Sequence, residues 1–368
     1  MLLLAPSPKF LRDFDWLSFL LIIGLMAFGV VQIHSAKPNS PGLWQRQIYA
    51  MVLGLVIMFV VTKMDYNRIF SIAPHLYGFG LFLLVLVLLF GTEINGNKNW
   101  LMLGPLGGFQ PSEFAKIFTL LMLVKYFSSV RVRPLTVSAM ATAGAIWIVP
   151  TVLVYLENDT GSTLSFISFF AVLLFLCGLR WSWIAAALAV VVIAGFFAIP
   201  KIKAGTSYKA ERIKAVYWPE LAAKRYRYQN EQSYIAVGSG GPYGKGIGSG
   251  TQGPLGFVPE VHSDFIFTIA GEETGFLGCS LALGAYLIII WRLIEAAQKS
   301  RDREGTLLVA GYTGLLLYHV AISVGMVVGL LPIMGIPLPL MSHGGSSILA
   351  TLLALGLCLS VRLRRFVN

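Results

Sequence analysis

Charge is what this chain has least of. Of 368 residues only 12% are Asp, Glu, Lys or Arg, and just 17 are acidic, against about 25% charged residues in an average soluble domain. So few solubilising groups exclude a soluble globular enzyme, and 56% hydrophobic residues exclude a disordered chain. Cysteine is scarce as well. Cys177, Cys279 and Cys358 are an odd number, far apart, inside apolar runs and without metal-ligand spacing. That excludes a secreted disulfide scaffold and leaves them as small hydrophobic residues. No repeat of about 20–50 residues stands out.

What the chain has in abundance is apolar sequence. Mean hydropathy is +0.75, and runs long enough to span a bilayer recur at 16–33, 43–61, 72–90, 113–127, 135–156, 163–179, 183–199, 265–291, 306–331 and 346–363. The expected fold is an all-α integral membrane protein with ten transmembrane helices, a single polytopic domain over residues 1–368. An even count puts both termini on one side. The first run has no convincing cleavage site and reads as a span rather than a removable signal peptide.

Lys and Arg in short connections mark the cytoplasmic side. On the side of the N-terminus sit Lys9, Arg12, Lys63, Arg68, Lys125, Arg131, Arg133, Arg180, Arg292, Lys299, Arg301, Arg303, Arg362, Arg364 and Arg365, while the opposite short connections hold Lys37, Arg46 and Lys98. Both termini are therefore expected in the cytoplasm. Residues 200–264 form one large external loop between spans seven and eight, with further basic residues from Lys201 to Lys245. A loop of that length falls outside the counting rule. The net charge of +11 is thus divided between a rim facing anionic lipid and one external loop. Neither is a nucleic-acid footprint.

Ionisable groups inside or at the ends of spans are costly unless paired or wetted, so each is a site candidate. In G-P-L-G-G-F-Q-P-S-E-F-A-K, residues 104–116, Pro111 and Ser112 are good helix-start residues. Glu113 and Lys116 are then i,i+3 neighbours: a self-neutralising ion pair, or a lysine aimed at an anionic ligand and held by Glu113. Glu157, Asn158 and Asp159 precede Gly161, where an acidic helix start is ordinary capping. The glycine-rich stretch 238–256 contains no P-loop, and its G-x-G-x-x-G at Gly248, Gly250 and Gly253 lacks a surrounding strand–helix unit. It reads equally as a spacer or as a cradle of N–H groups for an anion.

In P-E-V-H-S-D-F-I-F-T-I-A-G-E-E-T-G, residues 259–275, Asp264 stands before an apolar helix, with Glu272 and Glu273 two turns in. Asp264 reads as an N-cap, or as a general base whose pKa is raised by Phe265, Ile266 and Phe267. With His262 it is at most half a metal site. The run 329–347, G-L-L-P-I-M-G-I-P-L-P-L-M-S-H-G-G-S-S, opens the last span with Ser342, His343, Ser346 and Ser347, as a capped helix start or an anion site. His319, alone in the ninth span, reads as a packing residue. All five groups fall at the external face, where no nucleotide pool exists. An enzyme there must take its activated group from the membrane, and a lipid-linked pyrophosphate would suit Lys116 and the basic loop.

At these residues the chain resembles the SEDS family (shape, elongation, division and sporulation) over nearly its whole length. The resemblance is carried by N-W-L-M-L-G from Asn99, F-Q-P-S-E-F-A-K ending at Lys116, Asp159 with Gly161, Arg212, Pro219, and Q-S-Y-I-A-V-G-S-G-G from Gln232. It continues through G-K-G from Gly244, G-T-Q from Gly250, P-E-V-H-S-D-F-I-F, and G-I-P-L-P followed by S-H-G-G-S-S. The G-T-Q element and G-L-L-P-I-M-G-I-P-L-P favour the elongation branch over the division branch.

The resemblance implies a ten-span peptidoglycan glycosyltransferase of the bacterial cytoplasmic membrane, with its active site facing outward. It would polymerise lipid II into a growing lipid-linked glycan beside a class B penicillin-binding protein, with no nucleic acid involved. Asp264 matches the family's essential aspartate, and Glu113, Lys116, Trp100, Asp159 and Arg212 match other functionally important positions. Asn99 stands where an arginine is frequent, which would pass any anion contact there to Lys98. His343 replaces the usual tyrosine, and Glu157-Asn158 replace Gln-Pro. The expected mechanism makes Asp264 the general base, with Lys116 and Arg212 facing the leaving pyrophosphate. Lys98, Lys245, Ser342 and His343 complete the expected substrate contacts. Mg²⁺ suits carboxylates and pyrophosphate oxygens, though no complete ligand set for a metal is visible in the sequence. A flippase of lipid-linked precursor and a non-catalytic scaffold are the rival readings.

Overall fold

The structure is a computed structural model that describes residues 12–38, 40–94, 96–102, 108–130 and 135–366. Lys9, Arg131, Arg133 and the segment 103–107 before Pro111 lie outside the described residues. The fold is predominantly helical, and all ten expected apolar runs fall on helices. Eight of these are long and apolar enough to cross a membrane: α1 (Trp16–Ala36), α2 (Pro41–Lys63), α3 (Tyr66–Phe90), α5 (Val137–Leu156), α7 (Trp181–Ala204), α10 (Ile266–Gln298), α11 (Arg303–Val327) and α12 (Gly345–Leu363). The other two are α4 (Pro111–Ser129), which carries Glu113, Lys116 and Lys125, and α6 (Thr160–Leu176), which has only 17 residues.

The all-α expectation needs one correction. Between α3 and α4 the chain forms a small antiparallel sheet in the order β1 (Thr92–Ile94), β2 (Asn97–Met102), β3 (Gly108–Phe109). Here N-K-N-W-L-M has no helical apolar period, and Gly96 makes the turn at φ 83. Residues 200–264 are structured too. They contain α8 (Tyr208–Tyr217), a 3₁₀ turn (Pro219–Leu221) and α9 (Lys224–Ser239). Ser207 caps α8 by accepting from the Ala210 N–H. Glu211 and Lys214 form a buried pair at 2.5 Å, Glu211 also accepts from the Ala223 N–H at 2.6 Å, and Lys214 donates to the Gly205 carbonyl at 2.9 Å. Part of the basic surplus of this loop therefore holds the loop's own fold.

Helix α12 is the most enclosed and α7 has no buried residue. Close backbone approach seats α12 against α2: a Cβ on Gly356 would lie 2.8 Å from the Met58 carbonyl oxygen. At the end holding both termini, Asp15 caps α1 and pairs with Arg292 of α10 at 2.5 Å and Arg362 of α12 at 3.2 Å. At the opposite end, α9 packs on α10 and α11. Ser233 meets the Thr268 hydroxyl at 3.0 Å and donates to the Val327 carbonyl at 3.2 Å. The candidate groups gather at this end, beside the sheet.

Candidate active site

Asp264 lies in the turn ahead of α10, with its N–H donating to the Glu260 carbonyl at 3.2 Å. Helix α10 begins two residues later, after Phe265, and no side chain caps it. The capping role is thus not the one Asp264 plays, and its carboxylate stays available for chemistry. Gly335 lies against it at φ 69, where a Cβ would come 3.5 Å from Oδ2. Burial pushes the Asp264 carboxyl up to about 6; the Arg212 guanidinium opposes that rise, and Glu260 and Asp159 add to it.

Arg212 reaches this place from α8. Its guanidinium lies over the Tyr208 ring, 4.1 Å from the centroid, and bonds the Tyr208 hydroxyl. A second arm donates to the Ile333 carbonyl at 3.0 Å, in the proline-rich turn that also contains Gly335. Burial lowers the Arg212 pKa, while Asp264, Tyr226 and Asp159 oppose the fall. Asp264, Arg212 and Asp159 therefore share one electrostatic neighbourhood, although more than a hundred residues separate the first from the last.

Asp159 acts both as a cap and as a hub. Its Oδ1 accepts from the Ser162 N–H at 2.9 Å at the start of α6, the ordinary capping bond. Its Oδ2 gathers the Asn99 amide from β2 at 2.9 Å and the Gln110 amide from the entry to α4 at 3.2 Å. Asn99, where the resemblance leads one to expect an arginine, is thus a neutral donor to Asp159. Lys98 does not take over an anion contact. Its ammonium donates to the Leu88 carbonyl at 2.8 Å and to that of Leu89 at 3.3 Å, at the end of α3, where a cation suits the helix dipole. Trp100 covers Gly108 on β3, where a Cβ would lie 2.6 Å from the indole. Glu157 is fully buried, both its carboxyl oxygens lack a partner, and burial together with Asp159 pushes it up to about 9.

Glu113 and Lys116 do pair, Nζ to Oε1 at 2.7 Å, inside the bundle. The self-neutralising pair is present, and Glu113 is what fixes the ammonium in place. His319 of α11 completes the cluster, with Nε2 3.5 Å from the Lys116 ammonium, and Tyr312, Pro339 and Thr351 line the same small cavity. That contact accords with a hydrogen-bonded packing residue, but which residue His319 would meet was not legible in the sequence. The one available signal was a histidine placed in an apolar span.

The glycine-rich stretch is an anion cradle whose anions are the protein's own. Glu272 accepts from Lys245 at 2.7 Å, from the Thr251 N–H at 2.8 Å and hydroxyl at 2.9 Å, and from the Gln252 N–H at 3.1 Å. Glu273 accepts from the Gly248 N–H at 3.2 Å, the Gly250 N–H at 3.3 Å and the Ser35 hydroxyl. Lys245 is therefore a clamp on α10 rather than a free cation. Just beyond, Gly275 breaks α10 with φ 63, and a Cβ there would lie 2.3 Å from the Gly244 nitrogen.

The turn before α12 is similarly committed. Ser342 Oγ accepts from the Leu338 N–H at 2.8 Å, Ser346 Oγ accepts from the Gln110 N–H at 3.0 Å, and Gln47 of α2 bridges the Ser342 carbonyl and the Gly344 N–H. His343 donates its N–H to the His262 carbonyl at 2.9 Å, and the two rings lie 5.6 Å apart. Burial, aided by His262, Arg46 and Lys37, takes His343 down to about 4, so the ring is neutral at physiological pH. Among the described residues no three His, Cys, Asp or Glu side chains are grouped to hold a metal ion.

Residues 15–365 match the family model for cell cycle proteins of the FtsW/RodA/SpoVE type. The chain is 35% identical to the peptidoglycan glycosyltransferase MrdB of Escherichia coli strain K12 over 363 residues, covering 98% of this chain and 97% of that protein. It is 29% identical to the peptidoglycan glycosyltransferase RodA of Treponema pallidum, covering 96% of this chain and 98% of that one. Among solved structures, one concerning coordination of polymerization and crosslinking by a peptidoglycan synthase complex matches with TM-score 0.81 at 32% identity, covering 96% of this chain and 99% of that chain. The crystal structure of the rod shape determining protein RodA of Thermus thermophilus matches with TM-score 0.72 at 31% identity, covering 96% of this chain and 98% of that chain. The chain belongs to the FtsW/RodA/SpoVE family and is a RodA-like SEDS protein.

Proposed function

We propose that this chain is a peptidoglycan glycosyltransferase that polymerises lipid II at the outer face of the bacterial cytoplasmic membrane, in a complex with a class B penicillin-binding protein. The names of its relatives and the synthase-complex neighbour support that reading. In the proposed topology α4 and α6 join the eight apolar helices to make ten spans in a single domain over 1–368. Both termini are cytoplasmic, and residues 200–264 are extracytoplasmic. The observation that carries the site is the convergence of Asp264, Arg212 and Asp159, with Asp264 uncommitted to any helix cap and partly buried.

Asp264 accepts the proton of the GlcNAc 4-hydroxyl. The freed oxygen forms a bond to the anomeric carbon of the growing lipid-linked chain from the face opposite the leaving group. The bond from that carbon to the phosphate oxygen breaks, its electron pair departs with undecaprenyl pyrophosphate, and the configuration inverts. A general base activates the attacking oxygen in the same geometry in inverting glycoside hydrolysis. Arg212 presents guanidinium hydrogens to the pyrophosphate, and Lys116, oriented by Glu113, supplies the second positive charge. Asp159 and Trp100 shape the subsite, with neutral His343 beside it. Lys98, Lys245 and Ser342 act by holding the surrounding backbone. The test is polymerisation of defined lipid II by purified protein and partner synthase with its transpeptidase blocked. Polymer that depends on Asp264 supports the reading; movement of precursor without polymer would replace it with a flippase.

A further inference from the structure

A set of buried oxygens around the turn from α5 to α6 has no hydrogen-bond partner among the described residues. Both carboxyl oxygens of Glu157, the amide oxygen of Asn99 and the hydroxyl of Thr160 are all buried and unpaired. Glu157 is 0% and Asn99 4% exposed, so bulk solvent does not reach them. They are held together by the surrounding bonds. The Lys98 N–H donates to the Glu157 carbonyl at 3.0 Å, and the Asn99 amide nitrogen donates to Asp159 at 2.9 Å. Asp159 lies between Glu157 and Thr160 in sequence.

Apart from the Thr160 hydroxyl, which also donates, these atoms are acceptors, and they face little positive charge. The nearby donors are already placed: the Asn99 and Gln110 amides on Asp159, the Lys98 ammonium on the end of α3. Asp159, of the same sign, is a charge that acts on Glu157. Two carboxylates, an amide oxygen and a hydroxyl, without thiol or imidazole, match the ligand chemistry of hard divalent cations.

We propose that the α5–α6 turn and strand β2 form a binding site for a hard divalent cation, Mg²⁺, Ca²⁺ or Mn²⁺, ligated by Glu157, Asp159, the Asn99 amide oxygen and the Thr160 hydroxyl. The cation would fix β2 to the start of α6, whether or not the chain polymerises glycan.

The test uses the full chain in detergent, stripped with chelator. Mn²⁺ is titrated by electron paramagnetic resonance, and thermal unfolding is followed in MgCl₂, CaCl₂, MnCl₂ and ionic-strength-matched NaCl. The expected result is a saturable site and a rise in Tm with the divalent salts, the tightest-binding cation being the occupant. Glu157→Gln, which keeps the shape, should weaken the affinity about tenfold or more, as losses at metal sites do. Asn99→Asp adds a carboxylate, so it should melt below the wild type in chelator and regain stability with the cation. No saturable binding, the same affinity in Glu157→Gln, or a response to NaCl as large as to the divalent salts would overturn the proposal.

Discussion

The Lys116 ammonium lies 2.7 Å from Oε1 of Glu113, one helical turn away, and the two side chains are 2% and 6% exposed. In such a pair each partner is the other's replacement for water. Removing one leaves an uncompensated buried charge, which costs about 3–5 kcal/mol, whereas replacing both is often close to neutral. Lys116→Met and Glu113→Gln should therefore each lower Tm by more than the double variant does. Thermal unfolding of the four proteins in one detergent checks this, and additive losses would contradict it.

The clamp on the glycine-rich stretch makes a contrast between two glycines. A Cβ on Gly250 would lie 2.9 Å from Glu273 Oε1 and 3.2 Å from Glu272 Oε2, whereas nothing lies within 4 Å of a Cβ on Gly238. Gly250→Ala should displace the carboxylates from their N–H donors and reduce polymerisation severalfold or more, while Gly238→Ala leaves it near the wild-type rate. Equal effects of the two in a lipid II assay would remove the clamp from the account.

The raised pKa of Asp264 fixes a stability window. Its folded value of about 6 lies above the ordinary 3.8, so between those values the folded state binds the proton more tightly than the unfolded chain. Stability contributed by the protonated carboxyl is present below about pH 4, falls as pH rises through the window, and is lost above about 6. Asp264→Asn should accordingly raise Tm at about pH 7.5, with the gain shrinking toward pH 4. A gain independent of pH would count against the burial of this group.

The same shift sets the rate. A general base works only when deprotonated, so kcat/KM for polymerisation should fall about tenfold per pH unit below about 6 and level off above it. A carboxylate of ordinary pKa would keep the rate flat down to about pH 4. A pH profile with saturating partner synthase distinguishes the two.

What could be read in the sequence was what local periodicity fixes. Apolar runs give the helices, and an i,i+3 spacing on one helix brings Glu113 to Lys116 without any tertiary information. Helix ends are less sharply encoded, and a shift of one residue decides that Asp264 precedes α10 without capping it. The long-range pairings were hidden. His319 reaches Lys116 only because α11 packs on α4, and Lys245 and the amides of residues 248–252 find Glu272 and Glu273 only because the loop folds back on α10. The resemblance led one to expect substrate contacts from Lys98 and Lys245, whose partners here are a helix end and a carboxylate that no local pattern announces. The three short strands escaped notice because N-K-N-W-L-M, three polar residues followed by three apolar ones, lacks the alternation of a half-buried strand and is brief beside the apolar runs.

The most direct test of the account is glycan polymerisation by Asp264→Asn, assayed with defined lipid II and the transpeptidase-blocked partner. Loss of general base catalysis is worth about 10²–10⁴ in rate. The account predicts a loss of that order in a protein that remains folded, inserted and bound to its partner. Near-wild-type polymer from that variant would contradict it.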